Sequence, residues 1–130
     1  MLNKKKGFFV SFEGIDGSGK TTQINNIKNY FAENTIYEFL YTREPGGTKE
    51  AELIRNIFLN TKKELFFEAK TEILLLLASR YEHFKKVIVP AMEEGKVVIC
   101  DRFIDSTLAY QCNSDKDLKN FVLKVSSYVT

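Results

Sequence analysis

The segment GFFVSFEGIDGSGKT, residues 7–21, decides the fold of this chain. Its first half, residues 7–13, is rich in aromatic and β-branched side chains and precedes a glycine, which is typical of a strand buried on both faces of a sheet. Its second half fits the phosphate-loop pattern G-x-x-x-x-G-K-[ST]. From Lys20 onward apolar residues recur at helical spacing, so the loop joins a strand to a helix, as this motif requires.

The glycine-rich loop is predicted to bind nucleotide phosphates. Glycines let the backbone form a nest of inward-pointing N–H groups, and the following helix adds its positive N-terminal end. Lys20 is expected to reach the β- and γ-phosphates, and the Thr21 hydroxyl to bind Mg²⁺. A chance match to the pattern should arise in roughly one chain of this length in a few hundred. The predicted site comprises Gly14, Ile15, Asp16, Gly17, Ser18, Gly19, Lys20 and Thr21.

The rest of the chain continues the alternation of strands and helices. Further strands are predicted at residues 36–42 and 96–101, and helices at 20–34, 48–58, 67–87, 106–111 and 117–128. Thr48 is expected to cap the second helix, and Pro90 to open one further turn that Gly95 stops. This order of strands and helices is typical of an α/β fold with a parallel sheet, flanking helices and right-handed crossovers. Because no repeat or linker divides the sequence, residues 1–130 are predicted to form a single P-loop domain.

The composition excludes several classes of protein. With 130 residues, 44% hydrophobic and 28% charged, the chain is expected to be one globular domain. Lys and Arg number 19 against 17 acids, a net charge of +2 that indicates neither a nucleic-acid nor a membrane partner. The longest apolar stretch, residues 73–78, is far shorter than a membrane span, and we expect no secretory signal. The two cysteines, Cys100 in a buried strand and Cys112 in a loop, favour a reducing cytoplasmic location.

Charged residues are predicted to face the phosphate loop across the crevice of the sheet. Asp101 and Arg102 follow the third strand, at the edge where open parallel sheets bind ligands. Asp101 could hold Mg²⁺ and Arg102 could clamp a phosphate; a surface ion pair is the alternative. Asp16 is an acid inside an anion-binding loop. It could accept a hydrogen bond from a second substrate, or it could be a solvated turn residue.

Three other polar side chains allow two interpretations or more, and a fourth allows one. Arg80 interrupts an apolar helix face, so it could contact a base carbonyl or a phosphate, extend to solvent, or pair with Glu72. Arg43 ends the second strand and could contact a phosphate or form a turn ion pair. Tyr110 could stack on a base or pack in the core. The single histidine, His83, is expected on a solvated helix face without a catalytic role.

Four segments occur together in an order that resembles the thymidylate kinase family of P-loop nucleoside monophosphate kinases. They are FEGIDGSGKTTQ (residues 12–23), TREPGGT (42–48), LLLASRYEH (75–83) and DRFIDSTLAYQ (101–111). The first indicates only a P-loop kinase, whereas the second and fourth together are specific to this family. The resemblance covers residues 8–111 and implies transfer of the γ-phosphate of ATP to dTMP, giving dTDP and ADP in dTTP biosynthesis, with Mg²⁺.

The resemblance also assigns roles to individual residues. It implies that Asp16 binds the sugar 3′-hydroxyl of dTMP and that Arg80 hydrogen-bonds the thymine ring. Arg102 would hold the dTMP phosphate, with Arg43 nearby, and Asp101 would serve the magnesium. The catalytic residues would then be Lys20, Asp101 and Arg102. The remaining residues assigned to the thymine end of the site are Leu76, Ser106, Thr107, Tyr110 and Gln111.

Three positions depart from the family pattern. Leu76 stands where the family commonly has an aromatic residue that stacks on thymine, an interaction worth about 1 kcal/mol. Gly17 stands where some members carry an arginine; members with glycine there supply the arginine from a mobile lid. Cys112 stands where glycine usually follows the AYQ segment.

The resemblance implies a three-layer sandwich whose five-stranded parallel sheet is represented here by three strands. It places the lid, two strands and the adenine-contacting segment beyond Thr130, so we expect an incomplete domain with weak activity or none, whose first strand lies at the sheet edge. It also implies a homodimer packed through the long helix around residues 73–77. Two alternatives to a dTMP kinase stay open: a P-loop kinase for another small acceptor, and a nucleotide-binding domain without appreciable catalysis.

Overall fold

A computed structural model describes residues 6–33, 36–61 and 67–130 of the chain, except for the side chains of residues 60 and 61. Within these ranges, helices flank both faces of a three-stranded parallel sheet, so the predicted α/β class is confirmed. The elements are β1 (Phe8–Phe12), α1 (Lys20–Ala32), β2 (Phe39–Arg43), α2 (Lys49–Thr61), α3 (Ala69–His83), α4 (Val89–Glu93), β3 (Val97–Asp101), α5 (Ile104–Thr107) and α6 (Lys116–Val129).

The strand order is β1-β3-β2, which puts the third strand of the sequence in the middle of the described sheet. Asp101, at the end of β3, lies opposite Phe12 of β1 and Arg43 of β2, so all three strands end at the same edge. Burial follows this order: Val97 to Cys100 are buried, whereas β1 is only partly covered and Phe8 is exposed. The edge position predicted for the first strand is confirmed. Its predicted burial on both faces is met only in part: Val10 and Phe12 pack on one face and Phe9 on the other, but all stay partly exposed because a neighbouring strand lies on one side only.

Each face of the sheet has its own apolar layer. On one face Ile24 of α1 packs against Val97 and Ile99, and on the other Ile88 packs against Val98. This split follows from the alternation of side chains along β3. Full burial of one such aliphatic side chain contributes about 1.5–3 kcal/mol to folding.

The long third helix is interrupted where the sequence predicts continuity. The prediction was one helix over residues 67–87. Instead α3 ends at His83, a π-helical turn covers Phe84–Ile88, and α4 follows directly. Pro90 lies in the first turn of α4, as predicted. Because Pro90 has no N–H to donate, the turn before it lacks one α-helical hydrogen bond, which is where π turns occur.

Smaller boundary differences have simple causes. The second strand begins at Phe39 rather than at residue 36, because Ile36 is exposed and lies outside the ladder with β3. Thr48 caps α2 as predicted, with its Oγ1 accepting from Ala51 N at 3.0 Å. The predicted end of α1 at residue 34 lies outside the described residues, as does part of the segment between α2 and α3.

A third apolar cluster joins α3 to α6. It contains Ile73, Leu77, Cys112 and Val122, all almost fully buried. Cys112 was predicted in a loop, but it ends a π-helical turn over Leu108–Cys112 that continues α5. Burial among these side chains raises the pKa of the Cys112 thiol. None of the helices in the described part of the chain has the length and apolarity needed to cross a membrane.

Candidate active site

The phosphate loop closes over the first turn of α1 and leaves an open hollow of about 340 Å³. Gly17 and Gly19 have φ of 77° and 90°, a region that side-chain-bearing residues rarely adopt and that glycine adopts without strain. Lys20 Nζ donates to the carbonyls of Gly14 at 2.9 Å and Ile15 at 3.0 Å. The ammonium is therefore held by carbonyls of its own loop. Because Lys20 also lines the hollow, an anion bound there would compete with these carbonyls for the ammonium.

Of the oxygen-bearing side chains that line this hollow, Thr21 and Asp101 fit a divalent cation. Thr21 contributes a hydroxyl, and Asp101 a carboxylate whose Oδ1 is buried without a hydrogen-bond partner. Among the described residues no group of three or more His, Cys, Asp and Glu side chains could hold a metal ion by itself. Mg²⁺ at nucleotide sites takes one or two protein oxygens and completes its shell with phosphates and water. Thr21 and Asp101 suit that mode of binding.

Arg102 forms the wall between the hollow and the rest of the crevice. Its Nη1 donates to the Gly14 carbonyl at 3.1 Å and to Ser106 Oγ at 3.3 Å, and its Nη2 pairs with Asp16 Oδ1. The guanidinium also lies 5.2 Å from the centre of the Tyr110 ring. Burial acts to lower the pKa of Arg102, but the hydrogen bond with Tyr110 and the nearby carboxylates raise the pKa above its usual value. The side chain is therefore charged at any physiological pH.

A second cavity, of about 290 Å³, lies on the far side of Arg102. Arg80 reaches it from α3 and is 3% exposed. Its Nε donates to Glu44 Oε2 at 2.6 Å and its Nη2 to Thr107 Oγ1 at 3.0 Å, while its guanidinium stacks 4.8 Å from the Phe103 ring centre. Nη1 is buried without a partner. Extension of Arg80 to solvent and pairing with Glu72 are both excluded.

His83 contradicts its predicted place on a solvated face. It is 0% exposed, with Nδ1 3.1 Å from Glu44 Oε1 and Nε2 2.7 Å from Thr42 Oγ1. A Cβ at Gly47 would overlap the His83 ring, so the glycine makes room for the imidazole. The prediction was wrong because it relied on charged sequence neighbours, which point to other faces of a helix.

Most residues predicted to bind the acceptor line this second cavity together. They are Asp16, Leu76, Arg80, Arg102, Ser106, Thr107, Tyr110 and Gln111. Tyr110 is exposed rather than packed in the core. Arg43 lies outside this cavity: its Nη2 pairs with Glu52 at 3.1 Å, and it lines another open hollow, which shares Thr21 and Asp101 with the phosphate-loop hollow. Arg43 was interpreted either as a phosphate contact or as part of an ion pair, and the structure shows an ion pair.

Three charged residues that line or support the cavity were missed by the sequence reasoning. Glu44 was named only as part of the TREPGGT segment, although it holds both Arg80 and His83. Arg55 lines the cavity and donates to the Pro45 carbonyl at 2.8 Å, and burial lowers its pKa. Its helical spacing from the buried Phe58 could have indicated an inward position. Glu13 accepts from Ser106 Oγ at 2.6 Å, next to Arg102, and no local pattern indicated this contact.

The strand thiol takes no part in chemistry at this site. Cys100 is fully buried, as predicted. Burial, and then the charge of Glu44, raise the pKa of the Cys100 thiol far above its usual value. The group is therefore protonated and cannot act as a thiolate nucleophile.

Comparison with known proteins gives one family. The family model described as thymidylate kinase matches residues 12–130. The thymidylate kinase of Clostridium novyi is 54% identical over 106 residues, which are 82% of this chain and 51% of the relative. That of Protochlamydia amoebophila is 48% identical over 108 residues, 83% of this chain and 48% of the relative.

A solved structure agrees. The crystal structure of thymidylate kinase from Ehrlichia chaffeensis has a TM-score of 0.83 and 41% identity, and the match covers 96% of this chain and 69% of that chain. This chain spans about half the length of the curated relatives it matches. The matched segment contains the phosphate loop, the Asp101-Arg102 pair and the whole lining of the Arg80 cavity. The chain belongs to the thymidylate kinase family.

Proposed function

We propose that the protein acts as a dTMP kinase, transferring the γ-phosphate of ATP to dTMP to give dTDP and ADP for dTTP synthesis. One observation carries this proposal beyond family membership. Asp16 and Arg102 line both the phosphate-loop hollow and the Arg80 cavity, so their pair is a shared wall between two ligand-sized spaces. Two nucleotides seated on either side would bring their phosphates together at Arg102, as in-line transfer requires.

The donor side follows from the loop. Backbone N–H groups of residues 14–19 and the positive end of α1 would hold the ATP phosphates, and Lys20 would leave its two loop carbonyls for the β- and γ-oxygens. Thr21 and Asp101 would hold Mg²⁺. The cation, when bound, would neutralise charge on the phosphates and help to orient them.

The acceptor side uses the second cavity. Arg80 Nη1, a buried donor without a partner, fits a carbonyl oxygen of thymine, and Leu76 and Gln111 lie in the same lining. Asp16 would accept from the sugar 3′-hydroxyl. Arg102 would exchange Asp16 for the dTMP phosphate, since its Nη2 donates to an exposed carboxylate that a phosphate dianion can replace.

The chemistry needs no general base. The second pKa of a phosphate monoester is about 6, so the attacking oxygen is already deprotonated at pH 7. Catalysis then depends on alignment of two polyanions and on neutralisation of the transferring group by Lys20, Arg102 and the Mg²⁺ held at Asp101.

A second copy of the chain is the proposed partner. Leu53 of α2 with Leu74 and Tyr81 of α3 are exposed and border an apolar groove closed on its third side by α6. Apolar helix faces of this kind are stabilised by burial against another protein surface. A homodimer through these helices is therefore part of the proposal; a cytoplasmic location stays a prediction.

Calorimetric titration of the chain with dTMP, dCMP and ATP tests the function. We expect dTMP to bind at least about tenfold more tightly than dCMP, because cytosine has an amino group in place of the thymine O4 carbonyl that we propose Arg80 contacts, and an amino group cannot accept from Arg80. ATP binding without dTMP binding would support the nucleotide-binding alternative. Equal affinity for both monophosphates would contradict a dTMP kinase.

A further inference from the structure

Glu44 uses its two carboxylate oxygens for two different partners. Its side chain is 5% exposed, with Oε2 accepting from Arg80 Nε at 2.6 Å and Oε1 accepting from His83 Nδ1 at 3.1 Å. Its backbone N–H also donates to the carbonyl of Asp101 at 3.0 Å, which fixes the residue to the end of the central strand. A carboxylate bound on both oxygens and at its backbone has little freedom to turn.

The imidazole of His83 cannot turn away from Glu44 either. Its Nε2 lies 2.7 Å from Thr42 Oγ1, and the space beside the ring exists only because Gly47 has no Cβ. Since the carboxylate can only accept, Nδ1 carries the hydrogen in that contact. The Thr42 hydroxyl can donate or accept, so the chain Thr42–His83–Glu44 is complete whichever charge the ring carries.

Arg80 is thereby left with one free group. Nε is held by Glu44, Nη2 by Thr107, and the plane of the guanidinium by stacking on Phe103. Nη1 alone is buried and unpartnered, within a residue that lines the 290 Å³ cavity. Because Glu44 neutralises the guanidinium in a buried setting, the free N–H groups suit a neutral carbonyl better than a second anion.

We propose that Glu44 is a positioning residue, which orients Arg80 to hydrogen-bond a carbonyl of the acceptor base, and that His83 and Thr42 hold Glu44 in place. This proposal rests on the proposed function. Glu44 acts through Arg80 and contributes to recognition of the ring, not of the phosphate. Neither carboxylate oxygen needs to touch the nucleotide for this role.

The test compares dTMP with 2-deoxyribose 5-phosphate, which has the sugar and phosphate but no base. Both are titrated calorimetrically into the wild-type chain and into the Glu44→Gln variant, which keeps the side-chain volume and an acceptor for Arg80 but loses the charge. We expect the variant to bind dTMP about tenfold more weakly and to bind the sugar phosphate within about twofold of wild type. Glu94→Gln, which neutralises an exposed carboxylate paired with Lys96 ahead of β3, is the matched control and should change neither affinity.

The ratio of the affinity for dTMP to the affinity for 2-deoxyribose 5-phosphate would not change if Glu44 had only a structural role. In an Arg80→Gln background, Glu44→Gln should leave this ratio unchanged, because the residue through which Glu44 acts is already gone. A thermal melt of each variant identifies those that do not fold. If Glu44→Gln is one of them, Thr42→Val, which lies outside the Arg80 cavity, replaces it, and we expect a smaller loss in the same ratio.

The outcomes separate the two proposals. Wild-type protein that binds dTMP no more tightly than the sugar phosphate would overturn the proposed function and this proposal with it. Wild-type protein that prefers dTMP, with a folded Glu44→Gln variant of unchanged preference, would overturn the positioning role alone. Where Thr42→Val replaces that variant, an unchanged preference has the same meaning.

Discussion

The two arginines of the acceptor cavity have opposite surroundings. Arg80 is 3% exposed and pairs with Glu44, which is itself buried and shared with His83. Arg102 is partly exposed and pairs with Asp16, whose side chain is 91% exposed. Both pairs are close and both join distant parts of the sequence, so distance alone does not distinguish them.

The difference lies in how easily each ion pair can be exchanged for a ligand. A charge pair in water is worth little, because solvent and salt can replace either partner. Breaking a buried pair costs about 3–5 kcal/mol, because it leaves a charge without a partner in a region of low polarity. The comparison supports the proposed roles of the two arginines. Arg102 would exchange Asp16 for a phosphate, whereas Arg80 would keep Glu44 and donate to a carbonyl of the neutral base.

The largest expected effect is on folding. Glu44→Ala should lower the free energy of unfolding by about 3–5 kcal/mol, because Arg80 is left buried and unpaired. Asp16→Ala should leave the free energy of unfolding nearly unchanged, because its carboxylate is solvated in the folded chain. Urea denaturation followed by circular dichroism measures both. Similar losses in the two variants would contradict the contrast between the two pairs.

The next effect separates phosphate binding from base binding. Arg102→Ala should weaken both dTMP and 2-deoxyribose 5-phosphate by about tenfold or more, because a charge-assisted hydrogen bond to the phosphate is lost. Arg80→Lys should weaken dTMP only, because a lysine cannot keep the forked contacts with Glu44 and Thr107. Calorimetry gives both affinities. A uniform loss in the Arg80 variant would argue that Arg80 also holds the phosphate.

A smaller effect is expected from salt. Binding of 2-deoxyribose 5-phosphate should weaken severalfold between about 0.05 M and 0.5 M salt, because the phosphate meets Arg102 in a partly solvated setting. Binding of thymidine, which carries no phosphate, should change little over the same range. If salt weakened thymidine binding equally, the base would be bound by a net charge, which would contradict the neutralisation of Arg80 by Glu44.

The smallest effect concerns Leu76, a buried residue of the cavity lining where the family commonly has an aromatic ring. Leu76→Phe should tighten dTMP binding by up to about fivefold through stacking on the base, worth about 1 kcal/mol. It should leave 2-deoxyribose 5-phosphate binding unchanged. A tighter sugar-phosphate complex would indicate an effect on Arg102 and not on the base.

Features that a short stretch of sequence determines were predictable. The phosphate loop, the buried strand ending at Asp101 and the Thr48 cap each depend on neighbours within a few residues, and all three are where the sequence puts them. The burial of β1 was predicted only in part, because it depends on the strand order, which no local pattern records. The π turn before Pro90 was missed because a mid-helix proline was interpreted only as the start of a new turn.

The polar contacts of the cavity depend on residues far apart in sequence. Glu44 is 36 positions from Arg80 and 39 from His83, so neither the burial of the histidine nor the partner of the arginine could be deduced from adjacent residues. Arg43 and Arg55 show the same limit. The sequence favours Arg43 because it ends a strand, yet its neighbour Glu52 holds it outside the cavity that Arg55 lines.

The most direct test of the account is a crystal structure of this chain with dTMP bound. The account predicts the phosphate within hydrogen-bond distance of the Arg102 guanidinium and a thymine carbonyl next to Arg80 Nη1, with the Arg80–Glu44 pair intact. A phosphate seated on Arg80, or one far from Arg102, would contradict it.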